Sequence, residues 1–433
     1  MIKLLRAIHL FWWRLFGCAL HQFVESTKVR TRYGRRLRAL RRKAQGQPAH
    51  VIFFVSDISK WKGQSVYDLM SRSSNYFPEI AIFPQDEEIA EGARYVRSSQ
   101  EEKRSYFDSR GMKVRSLWDV ERNCALPISE VDADIVFYQQ PWFMPKSLQP
   151  DVVSRVALTF YFPYFVLNNS NNLDSGLEIG QWFHRMLFGH IVFSEDVKTL
   201  YECRIGGGRL RRAGEFLPLG HPMMDNFFLR DSKAKKEGYV IYAPHFSISF
   251  GEYNPILKYA TFVWNGREIL TYAKEHPEIK WVFKPHPGLK TALIKSGFMT
   301  EREVEDYYDE WARLGTVCCT ADYVDLFLSS RAMITDCGSF LTEYAATGMP
   351  IIHLENPNSD VRAHPTLERL YATYYKVACR DEMLKAFESV LIRGEDPQKD
   401  ERQKQVAVTG LHDVYAAKNI VKYLDALLFG KRR

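Results

Sequence analysis

The chain has 433 residues, of which 46% are hydrophobic and 26% charged, with 25 Gly and 19 Pro. These shares exclude a disordered or low-complexity chain, and the length exceeds one ordinary α/β domain and suits two or three. Seven cysteines, an odd number with no CxxC pair, exclude a zinc ribbon or disulfide scaffold and predict a reducing, cytoplasmic compartment.

The net charge of +7 is unevenly spread. Residues 1–43 carry +11, which leaves −4 for the remaining 390 residues. On a helical wheel Lys3, Arg14 and His21 fall within about 20° of one another. Leu5, Ile8, Trp12, Leu15, Phe16, Ala19 and Phe23 cover the opposite side. A broad apolar face with a narrow basic stripe predicts a helix lying in a membrane interface. The arginine-rich residues 30–43 suit an anionic leaflet, at roughly 1 kcal/mol per basic residue. Arg14 and His21 interrupt the apolar run that a transmembrane span requires, and Gly17-Cys18-Ala19 is a poor signal cleavage site. Arginine tracts also bind nucleic acid, but the apolar face favours a membrane, and no nucleic-acid partner is expected. A helix packed on another subunit is the structural alternative.

Residues 45–48 (Gln-Gly-Gln-Pro) separate this arm from the body. Short apolar runs at 51–55, 80–83, 134–138, 156–160, 190–193 and 216–219 read as buried parallel strands, with helical segments such as 65–70 and 195–203 between several of them. A polar stretch at 230–238 interrupts the pattern, which restarts at 239–243, 280–283, 316–319, 332–335 and 350–353. Helical segments at 256–276 and 340–347 lie between, and one more helix spans 410–428. The expected architecture is two doubly wound, Rossmann-like α/β domains facing across a cleft, the GT-B arrangement, with an N-terminal amphipathic basic helix. The expected boundaries are 1–44 for the arm, 50–235 for the first α/β domain, 236–400 for the second, and 401–433 for a helix able to cross back.

Ligands of such sheets bind outside the carboxyl ends of the strands. Lys284-Pro285-His286-Pro287-Gly288 follows one predicted strand. Prolines on either side hold His286 at the strand end, where it can act as a general acid or donate to a phosphate. Lys284 adds a positive charge for the same anion. A histidine satisfied within a rigid turn is the alternative. Thr335-Asp336-Cys337-Gly338-Ser339 joins a strand to a helix start, a place where free N–H groups suit a diphosphate, with Glu343 one turn further on for ribose hydroxyls. His245, in Ala243-Pro244-His245, follows the first strand of the second half. Gly220-His221-Pro222 and Asp225 mark the domain junction. In the first half, Asp57, Gln139, Gln140, Tyr161 and Tyr164 follow strands. Amides and aromatics there suit a polyol or sugar acceptor, and Asp57 is the candidate base by elimination. Core packing is an equally good reading of the aromatic cluster.

Taken together these segments resemble the CDP-glycerol glycerophosphotransferase family, the teichoic-acid polymerases and primases. Tyr242-Ala243-Pro244 resembles the family's Y-A-P turn, and Lys284-Pro285-His286-Pro287 its K-x-H-P turn. Asp336-Cys337-Gly338-Ser339 with Glu343 resembles its D-Y-S-S…D segment, and Gly220-His221-Pro222 with Asp225 its G-x-P…D junction. Gly348-Met349-Pro350 resembles a later strand entry. The likeness spans roughly residues 215–355. It implies that His286 contacts the donor's phosphates and aids the leaving group. Lys284, Asp336, Gly338, Ser339 and His245 would form the donor site, and Glu343 would hold ribose or glycerol. The family's acceptor-side W-H-G-T-P-L-K motif is absent: the corresponding strand end, Thr159-Phe160-Tyr161-Phe162-Pro163-Tyr164, has no histidine.

The expected activity is therefore transfer of a polyol phosphate from a CDP-activated donor to a lipid-linked or polysaccharide acceptor of the cell envelope, at the cytoplasmic face of the membrane. A nucleotide-sugar glycosyltransferase and a non-catalytic scaffold of the same fold are the alternatives. No cofactor or metal site is expected beyond a loosely bound Mg2+ on the diphosphate.

Overall fold

The computed structural model describes residues 18–130, 132–142, 144–167, 169–174, 179–205, 212–231, 236–252, 258–319, 323–411 and 416–430. The chain divides into two compact units. Unit 1 comprises Met1–Phe165, Leu173–Met223 and Tyr415–Arg433; unit 2 comprises Val166–Asn172 and Met224–Val414.

Unit 1 is built on seven parallel strands: β1 (Ala49–Val55), β2 (Tyr76–Ile82), β3 (Val114–Ser116), β4 (Ile135–Tyr138), β5 (Leu158–Tyr161), β6 (Gly189–Val192) and β7 (Glu215–Pro218). Their order is β3-β2-β1-β4-β5-β6-β7, so the order reverses beside β1. All seven residues of β1 are buried, as its unbroken apolar run predicts for a strand covered on both faces. Val51, Phe53 and Val55 pack into one core and Ile52 and Phe54 into the core on the other face, the two-residue alternation of a strand.

The first core is closed by helices from both ends of the chain. Helix α1 (Cys18–Lys43) inserts Val29, Tyr33 and Leu40, α2 (Gln64–Ser71) adds Val66, Tyr67 and Met70, and the C-terminal helix (Ala416–Phe429) adds Ile420, Leu424 and Leu428. Residues 18–43, expected to be set apart from the body as an arm, are thus part of unit 1's core. Their polar groups are tied in as well. Tyr33 Oη donates to Met186 O at 2.7 Å, Arg32 Nη1 to Asp151 O at 3.0 Å, and Arg41 Nε to Leu427 O at 2.7 Å. Lys43 Nζ lies 2.7 Å from Asp134 Oδ2. The opposite face of α1 leaves Leu20, Phe23, Val24, Lys28, Arg35, Arg36, Arg38 and Arg42 exposed. The wheel positions at Lys3, Trp12 and Arg14 lie outside the described residues. Among the described residues no helix is long and apolar enough to cross a membrane.

Unit 2 carries six parallel strands: β8 (Tyr239–Ala243), β9 (Trp281–Phe283), β10 (Thr316–Val317), β11 (Ser330–Thr335), β12 (Ile351–Leu354) and β13 (Tyr375–Val377). The order is β10-β9-β8-β11-β12-β13, again reversing beside the first strand. Two doubly wound parallel sheets are therefore present, as the alternation of apolar runs and helical segments predicts. The edge strands β3 and β13 were not foreseen, because three residues give too short a run for a period to show. Helix α3 (Phe262–Glu275) begins later than the periodicity suggested, after Thr261, whose N–H and hydroxyl are used elsewhere.

Candidate functional site

The carboxyl ends of β8, β9 and β11 meet at unit 2's order reversal. Lys284 N donates to Tyr242 O at 2.8 Å and His286 N to Pro244 O at 3.0 Å, so the turns after β8 and β9 run side by side. The turn after β11 is bound through Asp336 to the two ends of the connection between β8 and α3. This carboxylate is almost fully buried and accepts from His245 N at 2.6 Å, Thr261 N at 2.6 Å and Thr261 Oγ1 at 2.8 Å. Burial raises its pKa to about 6, with those hydrogen bonds pulling the other way, so it is ionised at neutral pH. Asp336, expected to bind donor, here ties its own turn to both ends of the β8–α3 connection.

Two imidazoles stand in the turns after β8 and β9. His286 Nδ1 accepts from Gly288 N at 3.0 Å, which leaves the proton of the neutral ring on Nε2 as a donor. His245 Nδ1 accepts from Ser247 N at 3.2 Å and pairs with Ser247 Oγ at 2.8 Å, giving the same tautomer. The two rings lie 5.2 Å apart, centroid to centroid, and each packs on Phe246. Burial, then the charge of Lys284, lowers His286 to about 4; burial, then His286, lowers His245 to about 3. At neutral pH both are uncharged N–H donors. A general-acid role for His286 therefore needs an anion beside it to raise its pKa.

Helix α4 (Gly338–Glu343) follows Asp336 and separates two compartments. On one side Lys284, 5% exposed, places Nζ 5.0 Å from the Tyr323 ring centroid and 5.7 Å from that of Phe340. Burial lowers the pKa of this amine, while the thiols of Cys318, Cys319 and Cys337 and the carboxylate of Glu343 oppose the shift. Glu343 is buried on the same side and accepts from Tyr323 Oη at 2.5 Å. Ser339 is half-buried, with Oγ 3.5 Å from Cys337 Sγ.

On the other side of α4 is a cavity of about 600 Å3, lined in part by Gly338, Leu341, Tyr259, His353, Glu355 and Asn356. Three segments distant in sequence are stitched into its wall. Asn169 Nδ2 donates to Tyr259 Oη at 2.6 Å, and Ser170 N to Arg362 O at 2.9 Å. Asn356 Nδ2 donates to Lys258 O and Ala260 O, both at 3.2 Å. Gly338 lets Tyr259 pack closely here, because a Cβ would lie 2.8 Å from its ring. Sequence reasoning missed this cavity. Its groups come from residues 258–259, from the loop after β12 and from β13, and no local motif joins them.

In unit 1 the strand-end residues are braced among themselves. Asp57 caps a short turn: Oδ1 accepts from Ser59 N and Oγ, both at 2.8 Å, and Oδ2 from Gln85 Nε2 at 3.3 Å, with Lys60 Nζ at 3.5 Å. Its pKa lies below the usual value; burial opposes the shift but is outweighed by the Ser59 hydrogen bonds, Lys60 and Gln85. Gln139 Oε1 accepts from Lys62 N at 2.6 Å. Gln140 Nε2 donates to Ser56 Oγ at 2.7 Å and Trp142 O at 3.0 Å. Tyr164 is half-buried beside Trp142, whereas Tyr161 turns into the core among Phe183, His184 and His190. His221 donates through Nε2 to Pro163 O at 2.7 Å and is a structural group of unit 1. Among the described residues no group of three or more His, Cys, Asp and Glu side chains is placed to hold a metal ion.

Solved structures share this architecture. A UDP-GlcNAc 2-epimerase from Neisseria meningitidis bound to UDP-GlcNAc is 14% identical over 87% of this chain and 99% of its own, with a TM-score of 0.53. The wall teichoic acid polymerase TagF is 11% identical over 95% of this chain and 98% of its own, with a TM-score of 0.55. The chain has the GT-B fold. The S. aureus protein MnaA with UDP is similar too, at 10% identity over 88% of this chain and 98% of its own, with a TM-score of 0.55. At these identities the likeness is one of fold alone. No protein-family model and no curated protein sequence matches the chain.

Proposed function

We propose that the protein is a transferase that takes a nucleotide-activated donor at the carboxyl edge of unit 2. The observation that carries this reading is the pair of Nε2–H donors of His245 and His286, held in the adjoining turns after β8 and β9 beside Lys284. Neutral donors held in place by protein hydrogen bonds need no rearrangement to stabilise charge developing on a leaving phosphate, which is how such sites lower a barrier. Lys284 supplies a desolvated positive charge close to the same turn, and Ser339 and Glu343 complete the donor side, as the family likeness implies.

Two donor classes share that diphosphate: a CDP-activated polyol such as CDP-glycerol, and a nucleotide sugar. The acceptor is a lipid-linked or polysaccharide component of the cell envelope, met at the strand ends of unit 1 by Gln139, Gln140 and Tyr164. Asp57, held ionised at neutral pH, is the acceptor-side carboxylate. Basic residues of the first 43, with Leu20, Phe23 and Val24, dock the protein peripherally on the anionic cytoplasmic face of the membrane. A Mg2+ ion, if used, arrives with the diphosphate.

The test is calorimetric titration of the protein with CDP-glycerol, CDP-ribitol, UDP-sugars and CMP, with His286→Ala beside it. Loss of one charge-stabilising donor should weaken nucleotide binding by about tenfold. The absence of all nucleotide binding would leave a non-catalytic scaffold. That second reading is favoured by one observation: both oxygens of Asp57 are already engaged, Oδ1 by Ser59 and Oδ2 by Gln85.

A further inference from the structure

His245 and His286 share a tautomer, but they are held in it by different means. His286 Nδ1 meets one donor, the N–H of Gly288 at 3.0 Å. His245 Nδ1 meets two, the N–H of Ser247 at 3.2 Å and the hydroxyl of Ser247 at 2.8 Å. That hydroxyl belongs to a buried side chain with two further partners, for it lies 3.0 Å from Tyr259 N and 3.3 Å from Ala260 N.

Only one distribution of hydrogens satisfies all four bonds. A backbone N–H can only donate, so Ser247 N requires Nδ1 to be an acceptor, and Tyr259 N and Ala260 N require Oγ to be one. Both lone pairs of Oγ are then filled, and its single proton goes to Nδ1. The ring proton is left on Nε2. A proton arriving at Nδ1 would face the Ser247 N–H and a hydroxyl with no lone pair to offer it. The same oxygen ties the ring to Tyr259 and Ala260, just before α3, so one atom fixes both the place of the ring and the place of its proton.

The titratable groups around this ring come from three elements. His286 and Lys284 stand in the turn after β9, Asp336 and Cys337 in the turn after β11, and Tyr259 before α3. Asp336 reaches the backbone N–H of His245 and not its ring. Among the described residues, the side-chain group bonded to the ring is the Ser247 hydroxyl.

We propose that Ser247 is a positioning residue of the donor site: its hydroxyl holds His245 as a neutral Nε2–H donor to the nucleotide's phosphate and denies the ring a second proton. The inference rests on the reading of a nucleotide-activated donor. It also divides the work of the pair. His245 offers a fixed dipole that meets phosphate charge without reorganising, while His286, with one donor at Nδ1 and a half-buried ring, is left to respond to the ligand.

Nitrogen-15 spectra of the histidine-labelled full chain test the tautomer, with His245→Gln to assign the signals. Nδ1 of His245 should stay an unprotonated acceptor from pH 8 to pH 5.5, with and without CDP or UDP. Calorimetric titration with CDP and UDP over the same range tests the role. Ser247→Ala removes the proton that occupies Nδ1 and opens that side to water, which accepts as well as donates. The variant should bind both nucleotides about tenfold more weakly than the parent at pH 8. As the pH falls, its His245 should take up a proton and meet the phosphate as an imidazolium, so the deficit should shrink to about threefold or less at pH 5.5. The titrations of Asp336, His286 and the phosphate are common to both proteins and cancel in the ratio. An Nδ1–H or doubly protonated His245 in the parent would overturn the inference, and these spectra need no variant at Ser247. A deficit that stays constant across the range, the mark of a residue that merely stabilises the fold, would overturn it too, as would Ser247→Ala binding as tightly as the parent at pH 8. Failure of the parent to bind either nucleotide would overturn the proposed function itself, a result distinct from any of these.

Discussion

Unit 1 and unit 2 are parallel sheets with the same kind of strand order, yet they place histidine differently. In unit 1, His184 and His190 stack 5.7 Å apart inside the sheet's face, among Tyr161, Phe183, Tyr201 and Phe216. Neither nitrogen of His184 has a hydrogen-bond partner. In unit 2, His245, His286 and His353 all stand at carboxyl ends of strands or in the turns that follow them. The residue type is the same and burial lowers the pKa in both settings. A strand-end position is necessary for a ring to meet a ligand but not sufficient, since His221, just past β7, already gives its Nε2–H to Pro163 O.

Acid should have the largest effect on this contrast. An unfolded imidazole titrates near 6.5. In the fold burial lowers His184 to about 3, and His221 and His286 to about 4. The native state therefore binds fewer protons than the unfolded chain below that ordinary value. Stability is whole above about pH 6.5 and falls as the pH drops towards the folded values, by on the order of 4 kcal/mol for a fully buried ring. Denaturant unfolding at pH 7.5, 6.0 and 5.0 measures this, and His184→Phe should flatten the profile of unit 1 alone. An unchanged midpoint across that range would remove the basis of the comparison.

Asp336→Ala comes next. It strands two N–H groups and a hydroxyl in a dry interior, a loss of roughly 3 kcal/mol. Unit 2 should melt earlier, nucleotide binding should go with it, and unit 1 should keep its own transition. Gly338→Ala sharpens the picture at smaller scale. The new methyl must displace Tyr259, for about 1–2 kcal/mol, and a thermal melt would show the strain. The smallest effect is expected on α1. Each of Arg35→Glu and Arg36→Glu should weaken co-sedimentation with phosphatidylserine vesicles by roughly 1 kcal/mol without changing thermal stability. A loss of stability would mean that these side chains hold unit 1 together, as Arg32 and Arg41 do.

Much of this was legible in the sequence, for a physical reason. A strand covered on both faces must be apolar throughout, so residues 51–55 and 239–243 announce themselves. A turn with prolines on both sides of a histidine, as in Lys284-Pro285-His286-Pro287, states where that ring will stand. What escaped depends on partners far away in the chain. Nothing near Asn356 says that it will hold the carbonyls of Lys258 and Ala260, and nothing near Val166–Asn172 says that this segment belongs to the second unit. The place of α1 in the core is legible too: Val29, Tyr33 and Leu40, with Leu37 between them, form an apolar stripe at helical spacing among the arginines.

The hydrogen bond from Arg41 Nε to Leu427 O joins residues 386 positions apart. Its partners are both in unit 1, and all of unit 2 except Val166–Asn172 is encoded between Met223 and Tyr415. On the ribosome, then, the unit that begins first is finished last. Its core stays open on the side of the C-terminal helix while the entire second sheet is made. The order of completion thus runs against the order of synthesis, and the apolar faces of β1 and β4 are the surfaces that a chaperone would meet in the interval.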